Sequence, residues 1–250
     1  MISIVLHLIL PVFFYTTVTG ILFQGLGTGA LEAAALSALL TSPVLFSFYA
    51  KDQRLRGMVP AAGLRLHGCL VHILVFGGAL CVFGNLAVNA LGLAAMSPAY
   101  EEAAVSLYSP PLAVQLAASG FVIPITEELI FRGMIFASLR DRLPFLLSAV
   151  LSAALFGLYH GNLPQGVYAF LIGMAVAWLY EVCKTLLAPC LFHVSANVLS
   201  ICVTNTSVFG PLTGSDNQTV ISATAAVSAL VSAICAIRIY RKNNKKEDIV

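Results

Sequence analysis

The chain has 250 residues, of which 59% are hydrophobic and only 10% are charged. Soluble domains carry roughly a quarter of their residues as charged side chains, so this chain has too few to cover a water-facing surface of its size. This composition excludes a soluble domain and predicts a protein whose main solvent is the lipid bilayer. The formal net charge of +2 gives no sign of a nucleic-acid partner, and we expect none.

Eight apolar stretches predict membrane-spanning helices, because a helix needs about 20 apolar residues to cross the hydrocarbon core. In chain order they cover residues 4–23, 30–49, 69–91, 112–139, 144–160, 167–182, 187–204 and 220–239. Backbone polar groups in lipid must be satisfied within their own segment. We therefore predict an all-α fold, a polytopic membrane helix bundle of about eight transmembrane helices that forms one domain over residues 1–250.

The basic residues predict how this bundle is oriented. With the N-terminus in the cytoplasm, all but one of the 13 Lys and Arg residues fall on the cytoplasmic side. These residues are Lys51, Arg54, Arg56, Arg65, Arg140, Arg142, Lys184, Arg238, Arg241, Lys242, Lys245 and Lys246. A loop on the opposite side holds Glu101 and Glu102. The positive-inside rule thus predicts a multi-pass protein of the cell membrane with both termini in the cytoplasm.

The remaining basic residue lies inside the fourth apolar stretch, together with two glutamates. Glu127, Glu128 and Arg132 are costly there, since one ionised side chain at mid-membrane costs at least about 2.5–3.5 kcal/mol on insertion scales. Glu128 and Arg132 are four residues apart and can pair along one helix face, while Glu127 is turned roughly 100° away. One Glu and one Arg would be enough for a packing pair. The second carboxylate therefore favours a functional site.

Histidines also lie in the apolar stretches. His160 closes the fifth stretch, and His193 lies one helical turn before Asn197 on the same face of the seventh. A single buried histidine is more often a packing residue. Two histidines at depths similar to that of the free carboxylate of Glu127 indicate instead that the three side chains share one polar cavity in the middle third of the bilayer. His7 and His72 lie near span ends without a polar companion at helical spacing. We interpret these two as interfacial or packing residues.

Together these residues resemble three motifs of the CAAX-protease and bacteriocin-processing family (CPBP, or Abi) of intramembrane proteases. The motifs are E-E-x-x-x-R at Glu127, Glu128 and Arg132, F-x-x-x-H at Phe156 and His160, and H-x-x-x-[ND] at His193 and Asn197. They occur in the family's order, each in a separate apolar stretch, within a core of about residues 112–204. Short loops and the compact length resemble a prokaryotic member.

This resemblance implies an endopeptidase that hydrolyses a peptide bond of a membrane-associated protein or peptide. Glu127 and His160 would activate the attacking water, and His193 and Asn197 would stabilise the oxyanion. The residues expected to support them are Glu128, Arg132 and Phe156. Family members in eukaryotes act on prenylated C-terminal tails, but this sequence indicates no prenyl pocket. It leaves the substrate and the oligomeric state open.

A zinc-dependent version of the site is the alternative. Glu127, His160 and His193 could ligate a divalent metal such as zinc and leave the fourth position open for water. The sequence lacks H-E-x-x-H, and the carboxamide of Asn197 is a poor zinc ligand. We therefore favour a site without a metal or other cofactor.

Two other functions compete with the protease hypothesis. A transporter or proton/ion pathway would use the same intramembrane charges. Pro124 could break the fourth span, as in transporters, but no second broken helix forms a pair with it. A non-catalytic immunity or scaffold protein would tolerate the loss of Glu127 or His160, so the intact motifs weigh against it.

Overall fold

The structure is a computed structural model that describes residues 2–57, 66, 68–206 and 217–244, with side chains from Leu6 onward. Nine helices and no strands form within these ranges. We number the helices α1 (Ile2–Leu26), α2 (Ala30–Leu55), α3 (Leu70–Ala90), α4 (Pro98–Tyr108), α5 (Leu112–Arg140), α6 (Phe145–Tyr159), α7 (Leu163–Cys183), α8 (Leu187–Asn205) and α9 (Gln218–Asn244). The predicted all-α membrane bundle is confirmed.

Seven of the described helices are long and apolar enough to cross a membrane. The two exceptions are α4 and α6. Helix α6 is apolar but has only 15 residues. At 1.5 Å per residue it measures about 22 Å, less than the hydrocarbon core of about 30 Å. The eight predicted apolar helices are therefore present, one of them short.

Charged contacts bring the ends of α2, α5 and α7 to the same face of the bundle. Arg56 follows α2 and pairs at 2.9 Å with Asp141, which follows α5. Arg140, the last residue of α5, pairs at 3.0 Å with Glu181 near the end of α7. These helices thus end where the sequence predicted basic cytoplasmic loops.

The start of α1 lies at the same face. His7 Nε2 of α1 is 2.7 Å from Asp52 Oδ2 near the end of α2. His7 therefore does have a polar companion, supplied by another helix rather than by its own. Near the end of α9, Lys242 donates to the carbonyl oxygen of Gly68, before α3, at 2.8 Å. The predicted cytoplasmic residues Arg65, Lys245 and Lys246 lie outside the described residues.

Helix α5 carries the two glutamates and is not a uniform α-helix. Its segments Leu116–Val122 and Leu129–Phe136 are π-helical and flank the α-helical turn Ile123–Glu128. Pro124 lies in that central turn, but the helix continues past it to Arg140, so it does not break the span. Wide turns of this kind are frequent at functional sites.

Glycines allow the helices near the site to approach closely. A Cβ added at Gly157 of α6 would lie 2.7 Å from the carbonyl oxygen of Gly166 in α7. A Cβ at Gly77 of α3 would lie against the carbonyl oxygen of Phe192 in α8. Small residues at helix crossings are typical of membrane bundles. Here they fix the positions of α6 and α8, the helices that carry the two histidines.

Candidate active site

A cavity of about 250 Å³ lies inside the bundle. It is lined by the four residues that the sequence assigns to catalysis, namely Glu127, His160, His193 and Asn197. Three helices contribute them: α5, the C-terminal end of α6, and α8. The structure therefore places the four side chains around one shared space, and their catalytic role stays a prediction.

Glu128 is the centre of the polar contacts beside the cavity. One oxygen, Oε1, lies 3.2 Å from Arg132 Nη1 and 2.8 Å from His193 Nδ1. Glu128 and Arg132 are fully buried, with 0% of each residue exposed. The expected pairing of Glu128 with Arg132 is present. The bond to His193, a residue 65 positions away, has no signal in the sequence.

The Glu128 bond fixes the direction of the His193 ring. Because a carboxylate only accepts hydrogen bonds, Nδ1 of His193 carries the hydrogen. The other ring nitrogen, Nε2, lies 3.8 Å from Oε2 of Glu127. Nε2 is thus aimed at the free carboxylate on the cavity wall, and it becomes a donor only when the ring is an imidazolium.

His193 lies between two carboxylates. Glu127, Glu128 and Arg132 together carry one negative charge when all three are ionised. A proton on the His193 ring would bring the net charge of this buried cluster to zero. The second carboxylate, which α5 alone does not balance, thus faces an ionisable ring on α8.

Phe156 packs among these polar groups. Its ring lies 4.9 Å from the ring of His160 and 5.7 Å from that of His193, both edge-on. The Arg132 guanidinium carbon lies 4.5 Å from the centre of the same ring. Such a cation–π contact stabilises the guanidinium, whose Nε and Nη2 have no hydrogen-bond partner among the described residues.

His160 is held by the end of its own helix. Its Nδ1 lies 2.8 Å from the carbonyl oxygen of Phe156, which can only accept, so Nδ1–H donates. Helix α6 stops here because Gly161 adopts a φ of +72° and Asn162 then caps α7 by accepting from the Gln165 amide at 3.0 Å. The neutral ring keeps the lone pair of Nε2 free to accept a hydrogen bond.

Asn197 is anchored to α5. Its Nδ2 donates to the carbonyl oxygen of Ser119 at 2.9 Å. Ser119 lies in the first π-helical segment, and it too lines the cavity. A carboxamide nitrogen carries two hydrogens, so this bond leaves a second N–H for another partner. The sequence did not single out Ser119.

Helix α4 covers another part of the cavity. It begins with Pro98 at its first position, which suits a helix start, and it has only 11 residues. The face that lines the cavity presents Tyr100, Ala104, Leu107 and Tyr108, and Glu101 and Glu102 are exposed. None of its residues is fully buried. A search for long apolar spans alone misses this short helix.

The zinc alternative finds no support in the arrangement of side chains. Within the part of the chain that the structure describes, no group of three or more His, Cys, Asp or Glu side chains is placed to hold a metal ion. His193 donates through Nδ1 to Glu128 and keeps Nε2 for another partner. The site without a metal stays a prediction.

Residues 109–199 match the family model described as "Type II CAAX prenyl endopeptidase Rce1-like". The "Putative membrane peptidase YdiL" of Bacillus subtilis (strain 168) is 30% identical over 88 residues, which are 35% of this chain and 36% of that protein. The "UPF0177 protein YxdF" of Lactococcus lactis subsp. lactis (strain IL1403) is 30% identical over 90 residues, 35% of this chain and 49% of that protein. Each match spans less than half of the relative's length. No solved structure matches the chain significantly.

The matched segment contains all three motifs and the helices that carry them. It begins just before α5 and ends within α8, so it covers every residue assigned to catalysis. The match over residues 109–199 and the two relatives therefore support the resemblance of this segment to the CAAX-protease and bacteriocin-processing family.

Proposed function

We propose that the protein is an intramembrane endopeptidase that hydrolyses a peptide bond of a membrane-associated protein or peptide. The observation that carries this proposal is the shared cavity. It brings a carboxylate from α5 and imidazoles from α6 and α8 to one space inside the bundle. Peptide hydrolysis needs a base for water and donors for an oxyanion, and this set of groups can supply both.

Glu127 and His160 activate the water. The carboxylate of Glu127 takes one proton as the water oxygen attacks the scissile carbonyl carbon. His160 donates through Nδ1 to its own helix, so Nε2 accepts the second water hydrogen and orients the nucleophile. General-base assistance of this kind contributes about 10²- to 10⁴-fold to a rate.

His193 and Asn197 stabilise the oxyanion that forms on the carbonyl oxygen. The imidazolium Nε2–H of His193 is one donor, and the second amide hydrogen of Asn197 is the other. Glu128 accepts from Nδ1 and thereby keeps the ring in this orientation. Because the donors are held before the reaction begins, no reorganisation is needed when the charge develops.

The tetrahedral intermediate then collapses with the proton held by Glu127. The carboxylic acid of Glu127 gives that proton to the amide nitrogen as the carbon–nitrogen bond breaks. The products are a new carboxylic acid, which keeps the second hydrogen of the water, and a new amine, and Glu127 returns to its ionised form. No proton is gained or lost by the site over the cycle.

The position of the cavity supports a membrane-tethered substrate. It opens among apolar helices, so a peptide tethered to the membrane reaches it more readily than a soluble one. The matching family model names a CAAX prenyl endopeptidase, and the Bacillus relative is described as a putative membrane peptidase. A prenylated C-terminal peptide is therefore a suitable first probe, with the unprenylated peptide beside it.

The test uses the full chain purified in detergent and two fluorescence-quenched probes. One is a farnesylated Cys-aliphatic-aliphatic-X peptide, and the other is the same peptide without the farnesyl group. Wild type should cleave at least one of them, while Glu127→Gln and His160→Ala should each lower kcat by about 10²-fold or more. Glu102→Gln on α4 is the matched control, since that side chain is exposed, and it should cleave like wild type.

The same assay separates the competing functions. Addition of a strong chelator should leave the rate unchanged if the site works without a metal. Loss of cleavage on chelation, with recovery on added zinc, would contradict the metal-free mechanism. A folded wild type that cleaves neither probe but carries protons or ions across vesicles would favour the transporter instead.

A further inference from the structure

Ser119 is a buried hydroxyl on the cavity wall that the mechanism above does not use. It is 6% exposed and lies in the π-helical segment Leu116–Val122. Its Oγ has no hydrogen-bond partner among the described residues. Buried hydroxyls are nearly always paired. An unpaired one that lines a polar cavity indicates that its partner is a ligand in that cavity.

Other hydroxyls in the apolar helices show what Ser119 lacks. Thr41, Thr126, Ser148 and Ser232 each donate to the carbonyl oxygen four residues earlier, at 2.7–3.1 Å. This bond satisfies a hydroxyl without any partner from outside the helix. Ser119 makes no such bond in its wide π-helical turn. The irregular turn thus leaves its hydroxyl available.

Ser119 also lies beside a residue of the oxyanion site. Its carbonyl oxygen accepts the hydrogen bond from Asn197 Nδ2 at 2.9 Å. The same short stretch of α5 therefore anchors Asn197 and presents a spare donor. Both groups line the cavity that holds Glu127.

We propose that Ser119 is a further catalytic residue, whose hydroxyl donates a hydrogen bond to the scissile carbonyl oxygen, next to Asn197, as that oxygen becomes an oxyanion. This inference rests on the proposed endopeptidase function. Ser119 forms no covalent bond to the substrate and loses no proton. It acts only as a third fixed donor, so its contribution is largest in the transition state.

The experiment measures kcat and KM for the probe that wild type cleaves. Ser119→Ala should lower kcat by about 10- to 100-fold and leave KM within about two-fold, because the bond forms only as charge develops. Ser119→Thr, which keeps the hydroxyl, should recover part of the loss. Ser148→Ala is the matched control, since Ser148 is also buried but bonds to its own helix and does not line the cavity.

A second readout is independent of turnover. A peptide aldehyde of the same sequence, whose hydrate mimics the tetrahedral intermediate, should bind Ser119→Ala about 10-fold or more weakly than wild type. If Ser119→Ala cleaves and binds like wild type, the role of Ser119 is overturned and the endopeptidase proposal stands. If wild type neither cleaves the probes nor binds the aldehyde, the endopeptidase proposal falls, and this inference falls with it.

Discussion

At the residue scale, Glu128 uses one carboxylate oxygen to hold partners on two helices. It contacts Arg132 on its own helix and His193 on α8. The sequence predicted the first contact from the spacing of four residues. It could not predict the second, because contacts between distant positions depend on how the helices pack. The sequence thus identified both partners of Glu128 as site residues but predicted only one of its two contacts.

Replacing Glu128 tests that role. Glu128→Gln keeps the shape of the side chain but removes the negative charge beside Nδ1 of His193. We expect kcat to fall by about 10²-fold or more while KM changes little, since the loss affects the donor to the oxyanion. Steady-state cleavage of the probe measures this directly.

Glu181→Gln provides the control for the Glu128 variant. It removes a similar charge from the pair with Arg140 at the end of the bundle, far from the cavity lining. It should cleave at the wild-type rate. An unchanged kcat in Glu128→Gln would show that His193 needs no carboxylate to act.

At the element scale, the position of α8 depends on its close approach to α3. Gly77 lies against the backbone of Phe192, the residue just before His193. Any side chain at Gly77 pushes α8 outwards and moves His193 with it. The sequence gives no hint of this contact, since a glycine in an apolar helix has many possible roles.

Gly77→Val should therefore damage both stability and activity. Overpacking of a tight contact typically costs about 1–3 kcal/mol, so the midpoint of thermal unfolding in detergent should fall clearly. Cleavage should fall as well, because His193 leaves its position. Gly20→Ala in α1 is the matched control, since a Cβ there meets nothing within 4 Å. Equal unfolding midpoints for the two variants would rule out the close contact.

The irregular parts of the fold were the least predictable elements. The eight apolar helices could be found because lipid demands long apolar stretches. Helix α4 has mixed polarity and 11 residues, so only the Ser97-Pro98 pair suggests where it begins. The π-helical turns of α5 have no sequence signature, yet they present Ser119 to the cavity. Irregular turns within a helix arise from how the helix packs against its neighbours, so amino-acid composition does not predict them.

At the scale of the whole molecule, the described ion pairs outside the candidate site lie at one end of the bundle. Contacts of Arg56, Arg140 and His7 join the ends of four helices there. We propose that this end faces the cytoplasm, in accordance with the positive-inside rule. The N-terminus and the end of α9 then lie on the same side of the membrane.

Labelling of single introduced cysteines checks this orientation. A membrane-impermeant maleimide should label Glu102→Cys in intact cells, whereas Lys51→Cys and Arg241→Cys should react only after the cells are opened. The native background should be low, because none of the six cysteines is exposed. Labelling of Arg241→Cys in intact cells would place the C-terminal end of α9 outside the cell. That result would contradict the prediction that the chain crosses the membrane eight times.

The most direct measurement of the central idea is a double-variant cycle on Glu127 and His160. If both side chains act on one water in one cavity, the double variant Glu127→Gln with His160→Ala should cleave about as fast as the slower single variant. The first substitution would already have removed the activation of that water, so the second would lower the rate no further. If the two effects multiply instead, or if either single variant cleaves at the wild-type rate, the two side chains do not form one hydrolytic site.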